Sequence, residues 1–172
     1  MPHQQKFPMN KFIQYLEEIG SKHGWDLFLH ASAVVLICWV PSQVIYLTFH
    51  FVFPGPENEN YFKTPLEAVA LALLLAPLLE TQIMRMIFYA FGKFIKDNLS
   101  LCMISALIWG VLHLASESWG THAIWTFFVM GICFRRMERD SKQHAVLVVT
   151  AIHAGFNALS YGLYLALNNG SA

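Results

Sequence analysis

Five polar side chains are set deep inside apolar stretches of this 172-residue chain: Glu80, Arg85, His113, His153 and Asn157. Their chemistry is narrow. A carboxylate withdrawn from bulk water suits a general base or acid. An imidazole beside it can hold a water in line, while an amide and a second imidazole can donate hydrogen bonds to a developing oxyanion. No GxSxG motif is present, and no Ser or Cys occupies a recognisable nucleophile position. Water activated by Glu80 is therefore the simplest hydrolytic reading. One Glu with two His also suffices for a three-ligand zinc site, but the HExxH helix is absent and the spacing alone is a weak metal signal.

The elements that must carry these groups follow from hydropathy. The chain is 56% hydrophobic and 13% charged, against about 25% charged residues in soluble domains, and the mean hydropathy is +0.45. A helix needs about 20 apolar residues to cross the hydrocarbon core. Five candidate spans appear, at 27–53, 65–91, 99–115, 121–134 and 145–167. Pro41 marks a kink in the first, and Thr64, Pro65 and Glu67 mark the start of the second. The expected fold is all-α, a polytopic transmembrane helix bundle. It forms one integral membrane domain over residues 1–172, with a catalytic core at about 65–167.

Ahead of the spans, Met9, Phe12, Ile13, Leu16 and Ile19 follow helical spacing with Lys11, Gln14 and Glu17 between them. That pattern fits an amphipathic helix on the membrane surface or a cap helix packed on the bundle. With the N-terminus in the cytosol, nine of the eleven Lys and Arg fall on inside segments, and Lys63 alone falls outside. The positive-inside rule then places the C-terminus outside, and a bacterial inner (plasma) membrane is the expected location. The net charge of zero offers no basic face to nucleic acid. Cys38, Cys102 and Cys133 lie in apolar runs and read as small buried hydrophobes, and no cleavable signal peptide is apparent. The histidines at 3, 23, 30, 50, 122 and 144 lie near span ends or in polar segments and are expected to be solvated. Glu117 falls at the outer rim.

Depth brings the polar residues together. At about 1.5 Å per residue, Glu80, His113, His153 and Asn157 lie roughly 12–21 Å from the cytosolic ends of their spans. They share one mid-membrane slab although three helices carry them. His153 and Asn157, four apart, also share a helix face.

In order and spacing these residues resemble the CPBP family of membrane proteins, which includes CAAX prenyl endopeptidases and bacteriocin-processing, Abi-like proteins. The EExxxR motif reads Glu80-Thr-Gln-Ile-Met-Arg85, FxxxH reads Trp109-Gly-Val-Leu-His113, and a Phe-Phe-x-x-Gly stretch ends on Gly131. HxxxN reads His153-Ala-Gly-Phe-Asn157. The resemblance implies a glutamic-type intramembrane endopeptidase without a metal or other cofactor. Glu80 would activate water with His113, and His153 and Asn157 would form the oxyanion hole. The implied substrate is a hydrophobic, lipidated or C-terminal sorting-signal peptide in the bilayer.

Two departures stand out: Thr81 replaces the motif's second Glu, and Trp109 replaces Phe. Arg85 loses the carboxylate four residues before it and is expected to be structural, finding another partner or snorkelling to the headgroups. A non-catalytic membrane immunity or scaffold protein that binds a membrane peptide in the same cavity is the alternative. A proton-coupled transporter is disfavoured by the absence of an inverted repeat.

Overall fold

The computed structural model describes residues 9–52, 67, 69–114 and 119–169, all of them helical apart from short turns. Helix α1 (Met9–Glu17) runs into a 3₁₀ turn (Glu18–Ser21) and is followed by α2 (Gly24–Val52). A π-helical segment (Val69–Leu75) continues as α3 (Ala76–Phe91), and α4 (Asn98–Leu114), α5 (Trp119–Met137) and α6 (Lys142–Asn169) complete the bundle. The expected helices are present within a few residues of the boundaries read from hydropathy. Thr64 and Pro65, which were to open the second span, lie outside the described residues, as do Glu117 and His3.

Residues Gly24–Thr48, Val69–Phe91 and Lys142–Ala166 are long and apolar enough to cross a membrane, and Asn98–His113 is apolar but shorter. The outward faces of the long helices agree with a lipid surround. Trp25, Leu36, Val44, Phe51, Leu74, Met86, Tyr89 and Leu147 are all more than half exposed, far beyond the apolar patches that soluble monomers leave uncovered.

Helix α5 runs through the centre and touches α1, α2, α4 and α6. Its residues from Phe127 to Phe134 are almost all buried. Apart from Thr126, its polar residues gather at the two ends, Thr121 and His122 at the start and Arg135 and Arg136 in the last turn. Small residues set the distances. A Cβ at Gly110 would fall 2.4 Å from Cγ1 of Ile124, so α4 and α5 are in near-backbone contact there. One at Gly131 would fall 3.3 Å from the Phe88 ring and 3.5 Å from Cys102 Sγ, where α3, α4 and α5 meet.

Helix α1 packs on the bundle, as the cap-helix reading expects. Leu16 and Ile19 are fully buried, Phe12 stacks on Trp125 at 5.9 Å, and Cys133 Sγ lies 3.8 Å from the Leu16 carbonyl oxygen. The same packing corrects the expectation for His30. It is buried under Tyr15, ring centroids 4.4 Å apart, because α1 folds over the start of α2. All three cysteines are buried and free, as their apolar surroundings implied.

Pro41 does not end α2. A proline removes one main-chain N–H and leaves the carbonyl four residues back without its donor. That carbonyl belongs to Ile37, and the Trp125 indole Nε1 of α5 donates to it at 2.8 Å. One turn further, Ser42 Oγ and Thr126 Oγ1 share a buried hydrogen bond of 2.8 Å. Helix α2 thus stays continuous and is tied to α5 where it would otherwise break.

Candidate active site

Helix α3 buries one face, Pro77, Thr81, Met84 and Phe88, a spacing of three and four that turns its other side to lipid. Glu80 lies beside that buried face and reaches α6, where its Oε2 is 3.5 Å from His153 Nε2. The Glu80 side chain is 23% exposed and that of His153 only 6%. At this distance the pair is a close contact between ionisable groups rather than a short hydrogen bond. His153 Nδ1 is buried with no hydrogen-bond partner among the described residues, so Nε2 is the nitrogen that meets the site.

Asn157, one turn beyond His153, is half-buried and donates from Nδ2 to the Ala72 carbonyl oxygen at 2.7 Å. The acceptor belongs to the π-helical segment ahead of α3. Because a carbonyl only accepts, the amide nitrogen and not its oxygen must face Ala72.

His113, near the end of α4, turns back on its own helix, with Nδ1 2.9 Å from the Trp109 carbonyl oxygen. Its ring lies 5.7 Å from Phe127, the same ring that stacks on Trp109 at 4.4 Å and meets His153 edge-on at 5.4 Å. Phe127 is thus a central wall with His113 and His153 both resting on it. The structure brings Glu80 and His153 into contact, places Asn157 one turn on, and sets His113 on the Phe127 ring.

The auxiliary residues sort by burial. Thr81 is buried with its hydroxyl unpartnered among the described residues, and Trp109 Nε1, Ser105 Oγ and Thr150 Oγ1 share that state. Buried polar atoms of this kind are ordinarily satisfied by ordered water. Arg85 is half-buried and makes no ion pair among the described residues. It lines an open cleft with Gln82, Gln143, Val146 and Leu147. Gly131 serves the packing of three helices. His122, expected to be solvated, is half-buried, close enough to His113 for electrostatic interaction. Among the described residues no three His, Cys, Asp or Glu side chains converge as a metal-ligand set.

Two participants were not singled out from the sequence. Phe127 sat in a recognised stretch, but nothing in that stretch says which rings will pack on it. The Ala72 carbonyl had one available signal, Pro77. With i→i+5 bonding the donor to Ala72 is the nitrogen of residue 77, and proline carries no hydrogen there.

The model of a family described as type II CAAX prenyl endopeptidase Rce1-like matches residues 62–159, more than half of the chain. The matched stretch contains Glu80, His113, Phe127, His153 and Asn157. No curated protein and no solved structure matches the chain.

Proposed function

Since the chain belongs to the type II CAAX prenyl endopeptidase Rce1-like family, a family of membrane-embedded proteases, we propose that it is a glutamic-type intramembrane endopeptidase. Glu80 is the general base. It takes a proton from a water that His113 helps to hold, and the hydroxide attacks the scissile carbonyl. His153 Nε2 and Asn157 Nδ2 donate to the oxyanion that forms, and the returning proton leaves with the amine. Preorganised donors of this kind contribute most where water is excluded.

The observation that carries this reading is the meeting of Glu80 with His153 across α3 and α6, with Asn157 one turn away. Glu80 and His153 meet across two helices, with Asn157 one turn further along α6, and polar groups of this kind are costly at lipid-facing positions. The π segment supports it as well, since such turns recur at functional sites.

The substrate in this reading is a hydrophobic, lipidated or C-terminal sorting-signal peptide delivered by the bilayer. The chain crosses the membrane five times as a single domain. Helices α4 and α5 complete the count beside the three longer spans, the N-terminus is cytoplasmic, and the catalytic core lies at about 65–167. The Lys/Arg asymmetry supports that orientation, and a bacterial inner membrane fits it.

The test is mass spectrometry of membrane-derived peptides from cells carrying the intact protein or Glu80→Gln. Peptides released only by the intact protein are expected. Identical peptide sets, with both proteins inserted and folded, would instead favour a peptide-binding scaffold.

A further inference from the structure

Two prolines interrupt the main-chain bonding of long helices, and each freed carbonyl is taken by a side-chain N–H from another helix. In α2, Pro41 frees Ile37, which accepts from Trp125 Nε1 at 2.8 Å. Ahead of α3 the spacing changes. The turns at Val69–Leu75 are π-helical, so the carbonyl facing the nitrogen of Pro77 is that of Ala72, and it accepts from Asn157 Nδ2 at 2.7 Å. The first pair clamps α2 to α5. The second anchors a residue of the candidate site.

We propose that Pro77 and the π turn it closes are positioning elements for Asn157. They keep the Ala72 carbonyl open, so one N–H of the amide is anchored while the other is left for the oxyanion. This inference rests on the reading of Asn157 as an oxyanion donor. An unanchored asparagine amide has a broad, nearly two-fold torsion about its last bond. Half of its orientations would aim a carbonyl oxygen at a developing negative charge. Anchoring by an acceptor removes that half, because only the nitrogen can face Ala72. Pro77 acts through Asn157 and needs no contact with substrate.

The discriminating change gives the main chain its donor back. In Pro77→Val the side chain stays close to proline in size, and in Pro77→Ala a good helix former takes the place. Either way residue 77 gains an N–H. If it bonds Ala72, it competes with Asn157 directly. If it bonds Leu73, the turn tightens to α and the N–H of Ala76 reaches Ala72.

Both variants should lower kcat about 10- to 100-fold through misplacement of the amide, with KM little changed. Neither should add to the loss in Asn157→Ala, because a positioning residue has nothing left to position. Independent losses that multiply in the double variant would overturn the proposal.

A second readout does not depend on turnover. In protein labelled with ¹⁵N-asparagine, the Asn157 side-chain amide signals, assigned by their loss in Asn157→Ala, should shift in Pro77→Val. Unchanged signals in a folded Pro77→Val protein would overturn the proposal, whatever the activity. Full activity in Glu80→Gln would instead sink the hydrolytic reading while leaving the amide result standing. If Pro77→Val does not insert, Pro77→Ala is read by the same two measurements.

Discussion

Gly110→Ala adds one methyl group at the tightest helix contact near the site. The new Cβ would lie 2.4 Å from Cγ1 and 2.8 Å from Cδ1 of Ile124, and 3.2 Å from the Gly120 carbonyl oxygen. Carbon atoms settle at about 3.5–4.0 Å, so α4 and α5 must part by roughly 1 Å or Ile124 must leave its rotamer. Ile124 is half-buried and packed against the core, so leaving its rotamer gives up contacts there. Overpacking of this kind costs about 1–3 kcal/mol, and at about 2–4 °C per kcal/mol the melting temperature should fall by roughly 2–12 °C. Activity should fall too, because Gly110 lies between Trp109 and His113, which both rest on Phe127 of α5. Ile124→Ala removes both clashing carbons. The double variant should therefore recover most of the loss, with a coupling of about 0.5–3 kcal/mol. The buried thiols of Cys38, Cys102 and Cys133 provide the assay, since a thiol-reactive dye reports unfolding when they become accessible. A Gly110→Ala protein that melts like the parent, or a double variant equal to the sum of the singles, would refute the reasoning.

Replacing Glu80 with Gln keeps the shape and removes the base. Turnover of a peptide reporter should drop about 10²- to 10⁴-fold, with melting unchanged or slightly raised because a half-buried charge is gone; near-parental turnover would remove Glu80 from the mechanism. Asn157→Ala should lower kcat by about 10²–10³, and a rise in KM at constant kcat would make Asn157 a substrate-binding residue. Activity should survive prolonged chelation, with no stoichiometric transition metal in the purified protein by elemental analysis. The donor set underlies this expectation, since the Asn157 amide is a poor zinc ligand and is bonded to Ala72. Loss on chelation with recovery on adding zinc would make Glu80, His113 and His153 ligands instead.

Much of the molecule was legible in the order of its residues. Apolar runs near membrane length, broken by polar turns, specify helices because bilayer and backbone together leave few alternatives. His153 and Asn157 share a face because they are four apart, and Glu80 stands out because lipid penalises it; such inferences use one helix at a time. Contacts between helices are different in kind. That Glu80 meets His153, that Phe127 lies under His113 and His153, and that α1 closes over His30 depend on how the helices cross. The crossings are set by close approaches such as Gly110 against Ile124 and Gly131 against Phe88, between residues far apart in the chain. The two prolines show the boundary most plainly. The sequence alone determines that Pro41 and Pro77 each withhold a main-chain donor. Only the tertiary structure decides that an indole takes the carbonyl freed in α2 and an asparagine amide the one ahead of α3, because only packing brings those N–H groups within 3 Å.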